Sequence, residues 1–199
     1  MKPYAESCDE NREPILSVIQ SLLKGCSTVF EIGSGTGQHA VYFAEKLPHL
    51  VWYTSDRIEH HAGIKMWLQE AGLENTPAPV ELNVSTSAWP QQKFDAVFSA
   101  NTVHIMHWSE VEAMFAGAGA ILSGGGRLML YGPFNYNNQY TSESNANFDS
   151  WLKSRDPESG IRNFEDLDKL AQQAGMLLRY DYEMPANNRI LYWEKSRTS

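Results

Sequence analysis

The apolar positions along the chain alternate between two periods, and the alternation predicts the fold. In "ILSVIQSLL" (15–23), Ile15, Leu16, Val18, Ile19, Leu22 and Leu23 recur at helical spacing. Pro14 suits a first helical turn there, and Gly25 suits a left-handed stop. "STVFEIG" then reads as a short buried strand and "GQHAVYFAEKL" as a helix ended by Pro48. "LVWYTSD" and "IEHHAGIKMWLQEAG" repeat the unit, the second helix closing at Gly72. "APVELNV" and "FDAVFSAN" predict strands three and four, "EVEAMFAGAGAIL" a helix stopped by "SGGG", and "RLMLYGPF" strand five. Strands and helices alternating in this way imply a parallel sheet covered on both faces. Short apolar runs such as "VFEI", "DAVFSA" and "LMLY" suit strands buried on both sides.

The end of the chain breaks the rhythm. "NFEDLDKLAQQAG" predicts a helix with Asn163 as N-cap and Gly175 as stop. "MLLRYDYEMP" and "NRILYWEK" follow with only "ANN" between them, which leaves no room for a crossover helix, so they must pair antiparallel. The expectation is an α/β chain with a mostly parallel seven-stranded sheet and an antiparallel terminal strand, in one domain over residues 1–199. Residues 133–162, rich in Asn, Tyr and Ser, form the one long segment without a pattern, and read as a lid or acceptor loop.

Composition narrows the partners. The 199 residues are 42% hydrophobic, enough for a full core, and carry a formal net charge of −8. An acidic balance disfavours nucleic acid and anionic membrane, since both recruit basic surfaces. No run approaches the ~20 apolar residues of a membrane helix, and "MKPYAESCDENREP" lacks the apolar stretch of a secretory signal. Cys8 and Cys26 have neither metal-ligand nor redox spacing and fit free thiols in a reducing compartment, so the expected location is cytoplasmic.

The turn "VFEIGSGTGQHA" (29–40) carries the chemistry. Its glycines run Gly33-x-Gly35-x-Gly37; a nicotinamide fingerprint would need its third glycine at position 38, which is Gln38. A P-loop would need Lys and Ser or Thr after the last glycine, and neither is there. An acid two residues before three alternating glycines suits S-adenosylmethionine, which has no pyrophosphate but carries an ammonium and a sulfonium. Glu31 can attract that charge, and Gly33, Gly35 and Gly37 allow close backbone approach. Asp56, 23 residues beyond Gly33, ends strand two where a carboxylate can accept from both ribose hydroxyls. Asn83 and Val84, at the end of strand three, are the candidates for the adenine edge and face.

These motifs, with "SD" (55–56), "FDAVFSANTVHI" and "GGGRLMLYGPF", resemble the successive motifs of class I S-adenosylmethionine-dependent methyltransferases over roughly residues 25–195. "NREPIL" (11–16), "SANTVHIMHW" (99–108) and the long stretch from Tyr131 to Leu167 further resemble the methyltransferase-like protein 26 family. The resemblance implies a Rossmann-like class I methyltransferase fold and S-adenosylmethionine as cofactor. Where many class I enzymes carry an acid at the end of strand three, this chain has Asn83, whose amide oxygen can still meet the adenine amino group.

Methyl transfer is an in-line displacement in which the protein mainly aligns the reactants and excludes water. A base is needed only if the acceptor must lose a proton. His104, Asn101 and Tyr131 are the catalytic candidates; Asn101 is also a cofactor candidate, because the loop after strand four faces the sulfonium in the related fold. His107 shares the loop, and no nearby carboxylate or Cys completes a metal site with the two histidines. Asn135, Tyr136 and Tyr140 are candidates for an acceptor pocket. Asn11 and Arg12 precede the first predicted helix and are placed to fold over the cofactor, while His60 and His61 read as surface residues. Tyr192 and Trp193 read as sheet core. The expected function is methyl transfer to a small-molecule acceptor; the alternative is a non-catalytic cofactor-binding protein acting through a partner, since no "NPPY"-type motif marks amino-group methylation.

Overall fold

In the computed structural model, residues 1–197 are described. The elements run α1 (Glu6–Leu22), β1 (Thr28–Ile32), α2 (Gln38–Lys46), β2 (Val51–Asp56), α3 (Ile58–Ala71), β3 (Val80–Glu81), β4 (Phe94–Ala100), α4 (Trp108–Ile121), β5 (Leu122–Gly132), α5 (Glu143–Arg155), α6 (Phe164–Gln173), β6 (Met176–Met184) and β7 (Asn188–Lys195). A short 3-10 turn, Pro185–Asn187, joins the last two strands.

The seven strands form one sheet in the order β3-β2-β1-β4-β5-β7-β6. All neighbours are parallel except β7, which is antiparallel to both β5 and β6. This is the expected mostly parallel sheet with its antiparallel terminal strand. The strand order reverses between β1 and β4, and their carboxyl ends open a crevice there.

Alternate residues of each strand feed two cores. Val29, Trp52, Phe98 and Met129 pack with Ile15 and Ile19 of α1 and Phe43 of α2. Phe30, Val97, Leu128 and Trp193 pack on the opposite face with Val111, Phe115 and Leu167 from α4 and α6. Both sides of the strands are thus buried, which is why they read as continuous apolar runs rather than as alternating ones. Trp193 is fully buried and Tyr192 nearly so, as sheet core.

Four expectations need correction. The first helix begins at Glu6 and holds Pro14 in its interior. Its first half, "ESCDENRE", has no apolar stripe because the only buried side chain there is the polar Asn11. Gln38 does the anchoring instead: its Oε1 accepts from the Ala5 N–H (2.7 Å) and its Nε2 donates to the Ala5 carbonyl (3.2 Å). Strand three shrinks to Val80–Glu81. "SGGG" lies within β5, where the register against β4 slips between Phe94 and Ala96, rather than ending a helix by a turn. The segment 133–162 holds helix α5, whose buried face is Asn145, Asp149 and Leu152. Two of those three are polar, so hydrophobic periodicity could not reveal it. At α6, Asn163 takes the N-cap position without a side-chain bond to the helix backbone.

Gly117 sits where α4 meets Trp89, and a Cβ there would lie 2.0 Å from the indole. Replacing a helix-interior glycine with alanine ordinarily stabilises by roughly 1 kcal/mol. Here overpacking reverses the sign, and Gly117→Ala should lose about 1–3 kcal/mol in denaturant unfolding. A stability gain would show that the Trp89 loop yields freely.

Candidate functional site

The chain leaves β1 through Gly33, Gly35 and Gly37 at φ of 70°, 58° and 92°, all left-handed. A side chain at Gly33 would also run into Thr102, whose Cγ2 lies 2.6 Å from an added Cβ. Thr102 is fixed in turn by a 2.6 Å hydrogen bond with Ser99, whose hydroxyl donates to the Ile32 carbonyl at 2.7 Å. At Gly35 nothing lies within 4 Å, so the backbone is open to a ligand.

Glu31 lies beneath this turn and is buried. Its Oε2 accepts from Ser34 Oγ at 2.9 Å and from Trp52 Nε1 at 3.1 Å. Loss of hydration raises its carboxyl pKa to about 7, against these two donors and with a further push from Asp56. Asp56, at the end of β2, accepts from the Gly35 N–H at 2.8 Å, so the ribose candidate also braces the glycine turn.

A cavity of about 350 Å³ lies over Gly33, Gly35 and Asp56 and is closed by Ala5, Ser7 and Cys8 of the N-terminal segment. A second cavity of about 630 Å³ adjoins it, with Asn11, His104, Tyr131, Phe148, Trp151 and Asn188 among its walls. Ser7, Asn101 and Ile105 line both. Asn101 stands at the junction with φ of 56°, a left-handed conformation that costs a non-glycine residue roughly 1–3 kcal/mol. Its N–H donates to the Tyr131 carbonyl at 2.9 Å, tying the ends of β4 and β5 together.

His104 is buried, and among the described residues its Nδ1 has no hydrogen-bond partner. The ring meets Phe148 of α5 edge-on at 5.3 Å. Burial, helped by the nearby Arg162 cation, lowers its pKa to about 4, so the imidazole is neutral at pH 7. Tyr131 is buried and its hydroxyl pKa raised by that burial, partly offset by the amides of Asn11 and Asn188.

The structure brings Gly33, Gly35, Asp56 and Asn101 to the first cavity and Asn101, His104 and Tyr131 to the second. Glu31 lies behind the first cavity and Gly37 caps α2. Arg12 is not brought in. Because α1 is already helical there, Arg12 lies about 100° around from Asn11, pairs with Asp9 at 2.7 Å and covers the Tyr42 ring. Asn83 and Val84 also stay outside the linings. With β3 so short the chain turns early: Asn83 Oδ1 accepts from the Ser85 N–H at 3.1 Å, and Val84 enters the core. Tyr136 and Tyr140 donate to Asp181 and Asp149 (both 2.6 Å), and with Asn135 stand outside the cavity walls. His107 takes the N-cap position of α4 and bonds Asp156 at 2.8 Å. His61 is buried, not on the surface, and bonds the Asp56 carbonyl at 3.0 Å.

Sequence reasoning missed His39, which lines the first cavity and bonds Asn11 Oδ1 at 2.7 Å through Nε2. Burial lowers its pKa to about 4, so it serves as a neutral strut between α2 and α1. Its place in the first turn after the glycines was the available signal. The α5 residues Asn145, Phe148 and Trp151 were missed with their helix.

The family model described as a protein of unknown function, DUF938, matches residues 2–195. The chain belongs to that family. Solved structures of similar fold include an O-methyltransferase family protein from Burkholderia thailandensis (TM-score 0.85, 14% identity). Two others are the mitomycin 7-O-methyltransferase MmcR (0.83, 14%) and the S-adenosylmethionine-dependent methyltransferase SibL in its apo form (0.78, 20%). The matches cover 98%, 96% and 96% of this chain but 59%, 54% and 56% of those chains, so it spans little more than half their length. At such identities the likeness shows the fold: this DUF938 chain has the Rossmann-like methyltransferase architecture.

Glu31 makes a pH-dependent test of the site. Its folded pKa of about 7 stands above the ordinary 4.5, so the native state holds the extra proton between those values. Stability from this group is full below pH 4.5 and is lost as pH rises through 7. Glu31→Gln should remove that slope and, at pH 8, exceed the ligand-free wild type by roughly 2–3 kcal/mol in urea melts. Parallel pH profiles for the two proteins would place the Glu31 carboxylate in contact with solvent.

Proposed function

We propose that the protein transfers the methyl group of S-adenosylmethionine to a small-molecule acceptor, with a hydroxyl as the favoured nucleophile. One observation carries the reading: two cavities meet at Asn101, and the His104 ring stands in the wall of the larger one. The printed names of the similar structures, O-methyltransferases among them, support it. The second cavity and its basic group favour transfer over cofactor binding alone.

The residues present fit the cofactor. Asp56 offers a carboxylate toward its ribose hydroxyls and the open backbone at Gly35 a close approach, while Glu31, buried behind that cavity, braces the turn through Ser34. When bound, the cofactor supplies a methyl group activated by the sulfonium. The remaining work belongs to the chain. The His104 imidazole, neutral because it is buried, takes the proton of the acceptor's hydroxyl. Asn101 and Tyr131 orient the acceptor, and the first half of α1 shields both cavities from water.

The acidic charge supports a small acceptor over nucleic acid. No helix among the described residues is long and apolar enough to cross a membrane, and Cys8 and Cys26 are both free. We read the location as cytoplasmic, and the branch as that of the methyltransferase-like protein 26 family on the stretches that resemble it.

Calorimetric titration with S-adenosylmethionine and S-adenosylhomocysteine tests the cofactor. Both should bind saturably, and Asp56→Ala should weaken binding by about 1.5–3 kcal/mol. Absence of binding to the folded wild type would overturn the reading. His104→Ala should leave cofactor affinity unchanged while lowering turnover by about 10²–10⁴-fold with an acceptor found by labelled-methyl screening of metabolite extracts. Undiminished turnover would remove His104 as the base.

A further inference from the structure

The loop after β4 presents four consecutive carbonyls, Val103 to Met106, and one later segment meets all four. Arg162 Nε donates to Val103 O at 3.3 Å, and its Nη2 donates to Met106 O. The Gly160 N–H donates to His104 O at 2.8 Å, and Ser159 Oγ donates to Ile105 O at 3.2 Å. Arg162 also bonds the Glu158 carbonyl at 2.7 Å, so its planar head holds both ends of the loop and the clamping segment at once.

This cation is costly where it stands. Arg162 is half-buried and, among the described residues, none of its contacts is a carboxylate; the nearby Asp149 pairs with Lys153 instead. The position of Arg162 explains what the expense achieves. The clamped loop carries His104, whose pKa burial lowers first and the Arg162 cation second.

We propose that Arg162 is a positioning residue for His104: its fork to the Val103 and Met106 carbonyls fixes the loop that sets the imidazole in the wall of the acceptor cavity. The inference rests on the reading of His104 as the proton acceptor, and deepens it. Lys could supply the charge but not a planar fork with several donors.

Other groups around His104 leave Arg162 as the charge that acts on it. From α5, Asp149 and Lys153 neutralise one another at 2.6 Å. From the clamping segment, Asp156 and Glu158 face His107. Tyr131 of β5 is held neutral by burial, and Glu10 of α1 is exposed at the cavity rim.

The test is the titration of His104 by long-range 1H–15N spectra of the full chain, with His104→Asn assigning the signal. Arg162→Gln should shift the His104 titration measurably upward toward its ordinary value. Arg162→Lys, which keeps the charge and loses the fork, should fall between. Both variants should still bind S-adenosylhomocysteine saturably, because Arg162 itself lines neither cavity. An unchanged His104 titration in folded Arg162→Gln would overturn the proposal and leave Arg162 a structural stitch. Should that variant not fold, Arg162→Lys decides, and an unaltered His104 shift and titration overturns it equally. The two readings fail separately: absence of S-adenosylhomocysteine binding to the wild type counts against the proposed function, whereas the titration bears on Arg162.

Discussion

The backbone has to leave the central strand β1 through three left-handed residues in five positions, and most of the site follows from that constraint. Only glycine takes these conformations at little cost, and Gly33 has the further limit of Thr102 pressed against it. The sharp turn sets the start of α2 close over the end of the strand. It brings Ser34 back onto Glu31 and the Gly35 N–H onto Asp56, so β1 and β2 end in one braced unit. The turn could not relax without releasing both carboxylates.

Around that unit the protein assembles walls from distant parts of the chain. The N-terminal segment is stitched down by Gln38 to Ala5, by the Trp67 indole to the Pro3 carbonyl, and by Lys2 over Trp67. Gln38 stands where a nicotinamide fingerprint would place its third glycine, so the residue that excludes one cofactor also anchors the cover of the cavity. On the other side, α5 brings Phe148 and Trp151, stacked at 5.8 Å, to the larger cavity. The segment after α5 then clamps the loop bearing His104. The two adjoining cavities thereby draw their walls from α1, the loops after β1 and β4, and α5.

Buried polar groups define this protein's site more than apolar ones do. Glu31, His39, His104, Asn11, Asn145 and Asp149 are all buried. Those that are paired, such as His39 with Asn11 and Asp149 with Lys153, hold walls in place. Among the described residues His104 Nδ1 has no partner, as is also true of Arg12 Nε, Thr54 Oγ1 and Asn135 Oδ1.

The sheet, its antiparallel last strand and the glycine turn were legible in the sequence, because strands buried on both faces and left-handed turns impose residue types directly. The places of Asp56, Asn101, His104 and Tyr131 at or just beyond strand ends were legible for the same reason. The first half of α1 and all of α5 were hidden, because their inward faces are Asn11, Asn145 and Asp149, and polar residues in a polar stretch leave no periodic signal. Arg12, His61, Asn83 and Val84 went astray through local geometry: one helix started earlier than its apolar stripe, and one strand stopped short. The sequence by itself determined which backbone could form, since φ preferences and apolar periods act between near neighbours. Only the tertiary structure decided which polar side chains face a cavity, because that depends on partners such as Gln38 and Ala5, or Arg162 and Val103, that folding alone brings together.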